Sequence, residues 1–426
     1  MAEQLRGPRR RDVLVGAAAL GVGAAAGVAG ARFADRAAES QTSESQAIAL
    51  GDQRRPVPTD QQAEGQQPLQ AGVGIESAHA VFIALDLAEG TSRDRVASLL
   101  RILTDDATRL QRGQAPIGDQ EPELAERPAN LAVTFGFGPR LVELVNPAAR
   151  PDWLAQLPAF SIDALEPHWS EGDLLLLVTG DDPLAVAHAQ RMLLKDARAS
   201  TTIRWQQQGF RNAYGVVDPT TTQRNLFGQL DGSSNPRPGT EEFDRIVRTS
   251  DAGWMHGGTT LVLRRIEMNL ETWDEVDRPG REASVGRRLD TGAPLTGTQE
   301  HDEPDFEATT PQGFTVINAS SHMRRARPDD PTQRIFRQTY NYDIPVSPAA
   351  GEDAVGGTGA KVSDSGLLFA SFQANPTLQF VPIQERLAEA DLLNTWTTPI
   401  GSAVFAIPPA AAEGEFVGQA LWGSSQ

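Results

Sequence analysis

The sequence predicts an α+β protein made by internal duplication, two α+β halves joined near residue 220. Three observations carry this. Apolar runs of strand length recur along the chain. Helix-length segments lie between them without the regular alternation of a doubly wound sheet. One layout of strand, polar pair, proline and helix occurs twice. At 426 residues, two domains are expected rather than one.

The strand-like runs are 80–87, 131–138, 174–180, 259–270, 334–343 and 366–372, and the helix-like segments are 92–112, 183–196 and 379–392. The repeated layout is LLLLVTGDDPLAVAHAQRMLL (174–194) against LLFASFQANPTLQFVPIQERL (367–387). Pro183 and Pro376 each suit the first turn of a helix, and Asp182 and Asn375 before them suit the capping position. The Gly-, Ala- and Ser-rich stretch 347–365 interrupts the second half and reads as a mobile surface loop.

Ahead of this body, Arg10 and Arg11 precede an apolar run from Val13 to Ala31 that ends in Ala29-Gly30-Ala31. A basic start, an apolar stretch and a small-x-small ending are the parts of a cleaved export signal, and the paired arginines mark the twin-arginine route. An uncleaved anchor helix is the alternative. The twin-arginine route carries folded proteins, which suits a protein that takes up a cofactor before export. Residues 32–72, polar and poor in apolar side chains, read as a flexible linker. The expected organisation is therefore a signal over 1–31, a linker over 32–72, an N-terminal domain over 73–222 and a C-terminal domain over 223–426.

Composition removes several functions. A net charge of −18 repels polyanions, so nucleic acid is not an expected partner. The absence of cysteine excludes disulfides, thiolate zinc sites, iron–sulfur clusters, cysteine nucleophiles and thioether-attached haem. Arginine outnumbers lysine 36 to 2, so an arginine is informative here only through its surroundings. Neither G-x-S-x-G nor H-E-x-x-H occurs, which leaves a hydrolase without its motif.

Three places combine unusual chemistry. LFGQLDGSSNPRPGT (226–240) leads an apolar approach to a single carboxylate, Asp231, in what is on its face a turn. A buried acid there can shuttle protons. GFTVINASSHMRRARP brings an apolar segment to His322, one of six histidines. RIFRQTYNYD alternates, so Arg337 shares a face with Ile335 and needs an anion.

Together these stretches resemble the dye-decolorizing peroxidases. Gly228-Gln229-Leu230-Asp231-Gly232 matches that family's GxxDG motif, followed by Asn235-Pro236. SSHMRRARP resembles its proximal-histidine segment and IFRQTYNYD its distal-arginine strand, while 263–295 and 366–384 are also similar. The resemblance spans roughly residues 75–425. It implies two ferredoxin-like halves, each an antiparallel sheet with helices, of the dimeric α+β barrel type. It also implies one non-covalent haem b held by the second half.

In those terms His322 is the proximal iron ligand, and Asp231 and Arg337 lie on the side that binds hydrogen peroxide. Asp231 would move the peroxide proton. Arg337 would stabilise charge and hold a haem propionate. Asn235, Leu367 and Phe369 are candidates for the rest of the pocket. The reaction implied passes through a ferryl intermediate and oxidises dyes, phenols or other reducing substrates, small or bulky, at an acidic optimum. Tyr340, Tyr342 and Trp396 are candidates for relaying electrons, against a core-packing role. The family's acid partner of the proximal histidine aligns with Asn375, so a neutral amide is expected there, with a higher iron potential than a carboxylate gives. The rival reading is a haem-binding, iron-delivery protein of deferrochelatase type. The implied location is periplasmic, cell-surface or extracellular, free of the membrane once the signal is removed, with self-association left open.

Overall fold

The computed structural model describes residues 67–218, 221–250, 253–328, 330–345 and 363–423. The expected signal, the linker up to residue 66 and positions 347–362 of the expected loop lie outside the described residues. Residues 363–365 belong to a strand instead of that loop.

In the first half the strands are β1 (His79–Leu87), β2 (Ala132–Phe137), β3 (Leu174–Gly180) and β4 (Thr201–Phe210), with helices α1 (Arg93–Gln111), α2 (Pro139–Val145) and α3 (Pro183–Ala197). In the second half, α4 (Glu241–Val247) precedes β5 (Thr259–Met268), α5 (Leu270–Asp274), α6 (Arg278–Val285) and α7 (His322–Ala326). Then come β6 (Phe336–Arg337), β7 (Tyr340–Pro345), β8 (Ser363–Gln373), α8 (Phe380–Ala390) and β9 (Thr397–Ile407).

The duplication is visible in the strand order. Both β6 and β7 pair with β8 in one unbroken register, so they act as a single interrupted strand. Counting them so, the first half runs β4-β1-β3-β2 and the second β9-β5-β8-β7, the same fourth-first-third-second order of an antiparallel ferredoxin-like sheet. The sheets meet at both edges, through Phe137 opposite Ala406 and Phe210 opposite Asn341. With β5 paired to β8 as well, the eight-strand circuit closes into a barrel.

Alternation along the strands decides what lies inside. Ala80, Phe82, Leu175, Leu177, Leu261, Leu263, Tyr340, Leu368, Phe372, Phe405 and Ile407 point inward and fill the lumen as one cluster. Their neighbours Val81, Ile83, Leu174, Leu176 and Val178 point outward under α1 and α3. Helix α1 meets that layer with Val96, Leu100, Leu103, Ala107 and Leu110, a helical spacing, and starts where Ser92 accepts a hydrogen bond from Arg95 N at 3.2 Å. Asp182 caps α3 by accepting from Leu184 N at 3.1 Å. The matching Asn375 accepts from Thr377 N and Leu378 N at 2.9 and 3.2 Å, but Pro376 opens a turn and the helix itself begins only at Phe380. The outward face of the second sheet, under α7 and α8, is where the chemistry collects.

Candidate functional site

Asp231 is aimed by a tight turn. The Asn225 side-chain oxygen accepts from Phe227 N and Gln229 N at 3.1 and 3.3 Å. Gly228 and Gly232 take φ of +76° and +132°, left-handed values that glycine adopts without strain. Asp231 N donates to Gln223 O at 2.8 Å, which ties the turn to the chain entering it. The carboxylate is 7% exposed and faces Arg337, with Oδ1 3.0 Å from Nη1. Its Oδ2 accepts from the Thr339 hydroxyl at 3.3 Å.

Arg337 ends the short strand β6, on the outward face with Thr339, while Phe336 and Tyr340 turn into the lumen. Asn235 fixes it there. Asn235 Nδ2 donates to Arg337 O at 2.7 Å and Oδ1 accepts from Arg337 N at 3.1 Å, so an amide side chain pairs with the peptide as a neighbouring strand would. Arg287, held by the carbonyls of Gly292 and Glu300 at 2.7 and 2.8 Å, has its pKa lowered by burial first and then by the charges of Arg337 and Arg327, against Glu300. Arginines gathered this closely make a seat for carboxylates.

His322 opens α7. Its Nδ1 lies 2.6 Å from Asp391 Oδ2, at the far end of α8, and Asp391 Oδ1 accepts from Leu393 N at 3.0 Å. This corrects the expected partner. Asn375 spends its side-chain oxygen on the turn after β8 and lines a separate surface pocket of about 830 Å³ with Trp153, Trp254, Met255 and Leu378. The carboxylate thought to be missing is present, on the helix that follows. Burial, the largest influence on His322, lowers its pKa; the charge and hydrogen bond of Asp391 outweigh it, so the net shift is upward from 6.5. The charges of Arg337 and Asp231 also act on the ring, which places the two groups within electrostatic reach of each other.

Leu367 and Phe369 alternate with the lumen residues Leu368 and Ala370, so they share the outward face with Arg337. Leu367 packs with Phe227, Met268 and Trp273. Trp396, half-buried, stands edge-on to Trp273 at 5.0 Å, and Trp273 lies 4.4 Å from Phe227 in the Asp231 turn. Tyr340 and Tyr342 instead sit in the barrel lumen, where burial raises both phenol pKa values. Sequence reasoning missed Asp391, Thr339, Gln223 and Arg287. For Asp391 the available signal was an acid closing an amphipathic helix, in AEADLL.

The residues present fit a haem. His322 Nε2 has no protein partner among the described residues, and 32% of the His322 side chain is open. Nitrogen from an imidazole whose other nitrogen is held by a carboxylate is a proper iron donor. Apolar Leu367 and Phe369 and the clustered arginines suit the ring and its carboxylates.

Comparisons with known proteins agree in extent and kind. Sequence models of the Dyp-type peroxidase N-terminal and C-terminal domains match residues 70–211 and 222–412. A dye-decolorizing peroxidase of Thermobifida fusca is 39% identical over 378 residues, covering 85% of each chain. A deferrochelatase of Escherichia coli is 27% identical over 436 residues, covering 97% of each. The crystal structure of a DyP-type peroxidase from Cellulomonas bogoriensis superimposes with a TM-score of 0.78 at 45% identity, over 86% of this chain and 99% of that one.

Proposed function

This chain belongs to the Dyp-type peroxidase family, whose members are haem peroxidases, and from that premise we propose an exported enzyme with one haem b per chain that spends hydrogen peroxide on dyes, phenols and similar reductants. The observation that carries the reading is that the Asp231–Arg337 pair reaches by charge the imidazole of His322, which Asp391 holds.

When bound, the haem would supply a redox-active iron for the reduction of hydrogen peroxide. The protein does the rest. His322 Nε2 would hold the iron, and Asp391 keeps the proton on Nδ1 so that Nε2 presents its lone pair. Asp231 takes the proton from the near oxygen of peroxide and returns it to the far one, which leaves as water. Arg337 steadies the negative charge that develops as the O–O bond lengthens, and with Arg287 offers cations to the propionates. Bulky reductants need not reach the haem. Of the three relay candidates Trp396 supports that role best, because it is half-exposed and joined through Trp273 to Phe227, whereas Tyr340 and Tyr342 are enclosed in the lumen. Export rests on the twin-arginine pattern around Arg10 and Arg11.

The test is an absorption spectrum of purified protein with a peroxide-driven dye assay. Haem bands are expected in the parent and lost in His322→Ala. Asp231→Asn and Arg337→Leu should keep the bands and slow dye oxidation by about 10² or more. Colour and activity retained in His322→Ala overturn the reading. The second reading, haem capture for iron release, is favoured by the deferrochelatase relative. It predicts iron freed from haem with little dye oxidation.

A further inference from the structure

Asp231 stands at the end of a hydrogen-bond chain that runs away from the pocket. Thr339 Oγ1, on a residue 1% exposed, lies 3.3 Å from Asp231 Oδ2 and 2.7 Å from Gln223 Nε2. Gln223 Nε2 also donates to Thr339 O at 3.0 Å. Gln223 Oε1 accepts from Arg211 Nε, and Arg211 Nη2 pairs with Glu76 at 3.1 Å, where the chain meets the surface. The residues come from four separate segments, and four of the five, Arg211, Gln223, Asp231 and Thr339, are buried or nearly so.

The chain has one direction. A guanidinium only donates, so the oxygen of Gln223 must face Arg211 and its NH₂ must face Thr339. The Thr339 hydroxyl, having accepted from that NH₂, owns one hydrogen, and Asp231 Oδ2 is the remaining acceptor bonded to it. Orientation that is usually free for an amide and a hydroxyl is thus set by an arginine one and two links away.

We propose that Gln223 and Thr339 are positioning residues for Asp231, and that their one-way chain occupies Oδ2 and reserves Oδ1 for the proton taken from peroxide. This rests on the assignment of Asp231 given above. Oδ1 keeps a second lone pair beyond its contact with Arg337 Nη1. The step balances without a further reagent: one O–H bond of peroxide breaks, one forms at Oδ1, and the same proton is later returned. The charged groups around Asp231 are Arg337 on β6, the neighbouring Arg287 and Arg327, and His322 with Asp391, whose imidazole the Asp231 charge reaches. Arg211 and Glu76 stand at the chain's outer end. None of these replaces the Thr339 hydrogen at Oδ2.

The test uses the haem-loaded protein. In Thr339→Val the hydroxyl is lost in nearly the same shape. In Gln223→Glu it is kept, but a carboxylate beside Arg211 only accepts, so the hydrogen turns from Asp231 to Glu. Both variants should raise, by about one unit, the pH at which acidification halves the peroxide reaction. Thr339→Ser should bring the profile back toward that of the parent. The double variant should shift no further than either single one, because both remove the same hydrogen bond. An independent readout is the infrared band of a protonated carboxyl that Asp231→Asn removes, which should persist to correspondingly higher pH in the variants. Unmoved profile and band in Thr339→Val, or Thr339→Ser behaving as Thr339→Val does, overturn the positioning role. So do additive shifts in the double variant, which would mark Gln223→Glu as acting by charge through space. Retained peroxide reactivity in Asp231→Asn instead overturns the reading of the site itself.

Discussion

His322, the proposed iron ligand, is held by an acid that lies 69 residues away in the chain. Asp231, His322 and Arg337 were legible because each sits in a short segment with its own character: a glycine-bracketed acid, a histidine after an apolar run, an arginine at an inward-outward alternation. Asp391 has no such character. It closes α8 as many helix-end acids do, and only folding brings it to His322. Asn375 attracted the role because the family's acid position aligns with it, whereas its oxygen satisfies its own turn. The two positions separate cleanly in experiment. Asp391→Asn keeps an acceptor for Nδ1–H and removes the charge, so the iron reduction potential should rise and the peroxide reaction slow by about 10- to 100-fold. Asn375→Asp should leave both where they are. A potential that follows position 375 and ignores 391 would contradict the geometry.

Strands and helices with an apolar stripe were read to within a few residues, as β3 at 174–180 and α3 at 183–197 show. The misses have physical causes. Strand β4, TTIRWQQQGF, sends Trp205, Gln207 and Gly209 inward, and Gln207 is satisfied there by Arg265 Nε at 3.2 Å, so no apolar alternation marks it. Strand β9 opens with Pro399 and Gly401 at a register shift against β5 and so imitates a turn. At Gly401 a Cβ would lie 2.5 Å from Trp169 O, so the residue that hides the strand is also one it requires.

The contact of α1 with α3 carries its own pH dependence. Asp106 is 6% exposed, and its pKa is raised from 3.8 to about 7, by burial first and then by the hydrogen bond and charge of Asp196 on α3. A folded-state value above the unfolded one means that the stability is whole below pH 3.8 and is lost as pH rises toward 7. Asp106→Asn should therefore stabilise the fold increasingly from pH 4 to 7 and level off above, by on the order of 2 kcal/mol more at pH 8 than at pH 5. Denaturant midpoints across that range check it. A gain that shrinks as pH rises would reverse the assignment.

At the scale of the whole molecule, the two halves of the duplication share one interior. Inward side chains of β1, β3 and β4 share the lumen with those of β5, β7, β8 and β9, and Phe405 of the second half would sit 2.9 Å from a Cβ added at Gly136 of the first. Neither sheet can leave without exposing the other's buried face, and the joining edges rest on a single strand pair each. Coupling through the lumen should then exceed coupling through the seams. Haem held by His322 would stabilise the native state by mass action, and a shared interior passes that gain to the first half. Loading with haem should thus raise one melting transition common to both halves. Phe405→Ala should lower the stability read from that same single transition by about 3–5 kcal/mol. Calorimetry with hydrogen exchange at α1 and α3 decides the matter. If those helices open at an energy that haem does not change, the halves are energetically separate and the lumen is only a contact between two independent folding units.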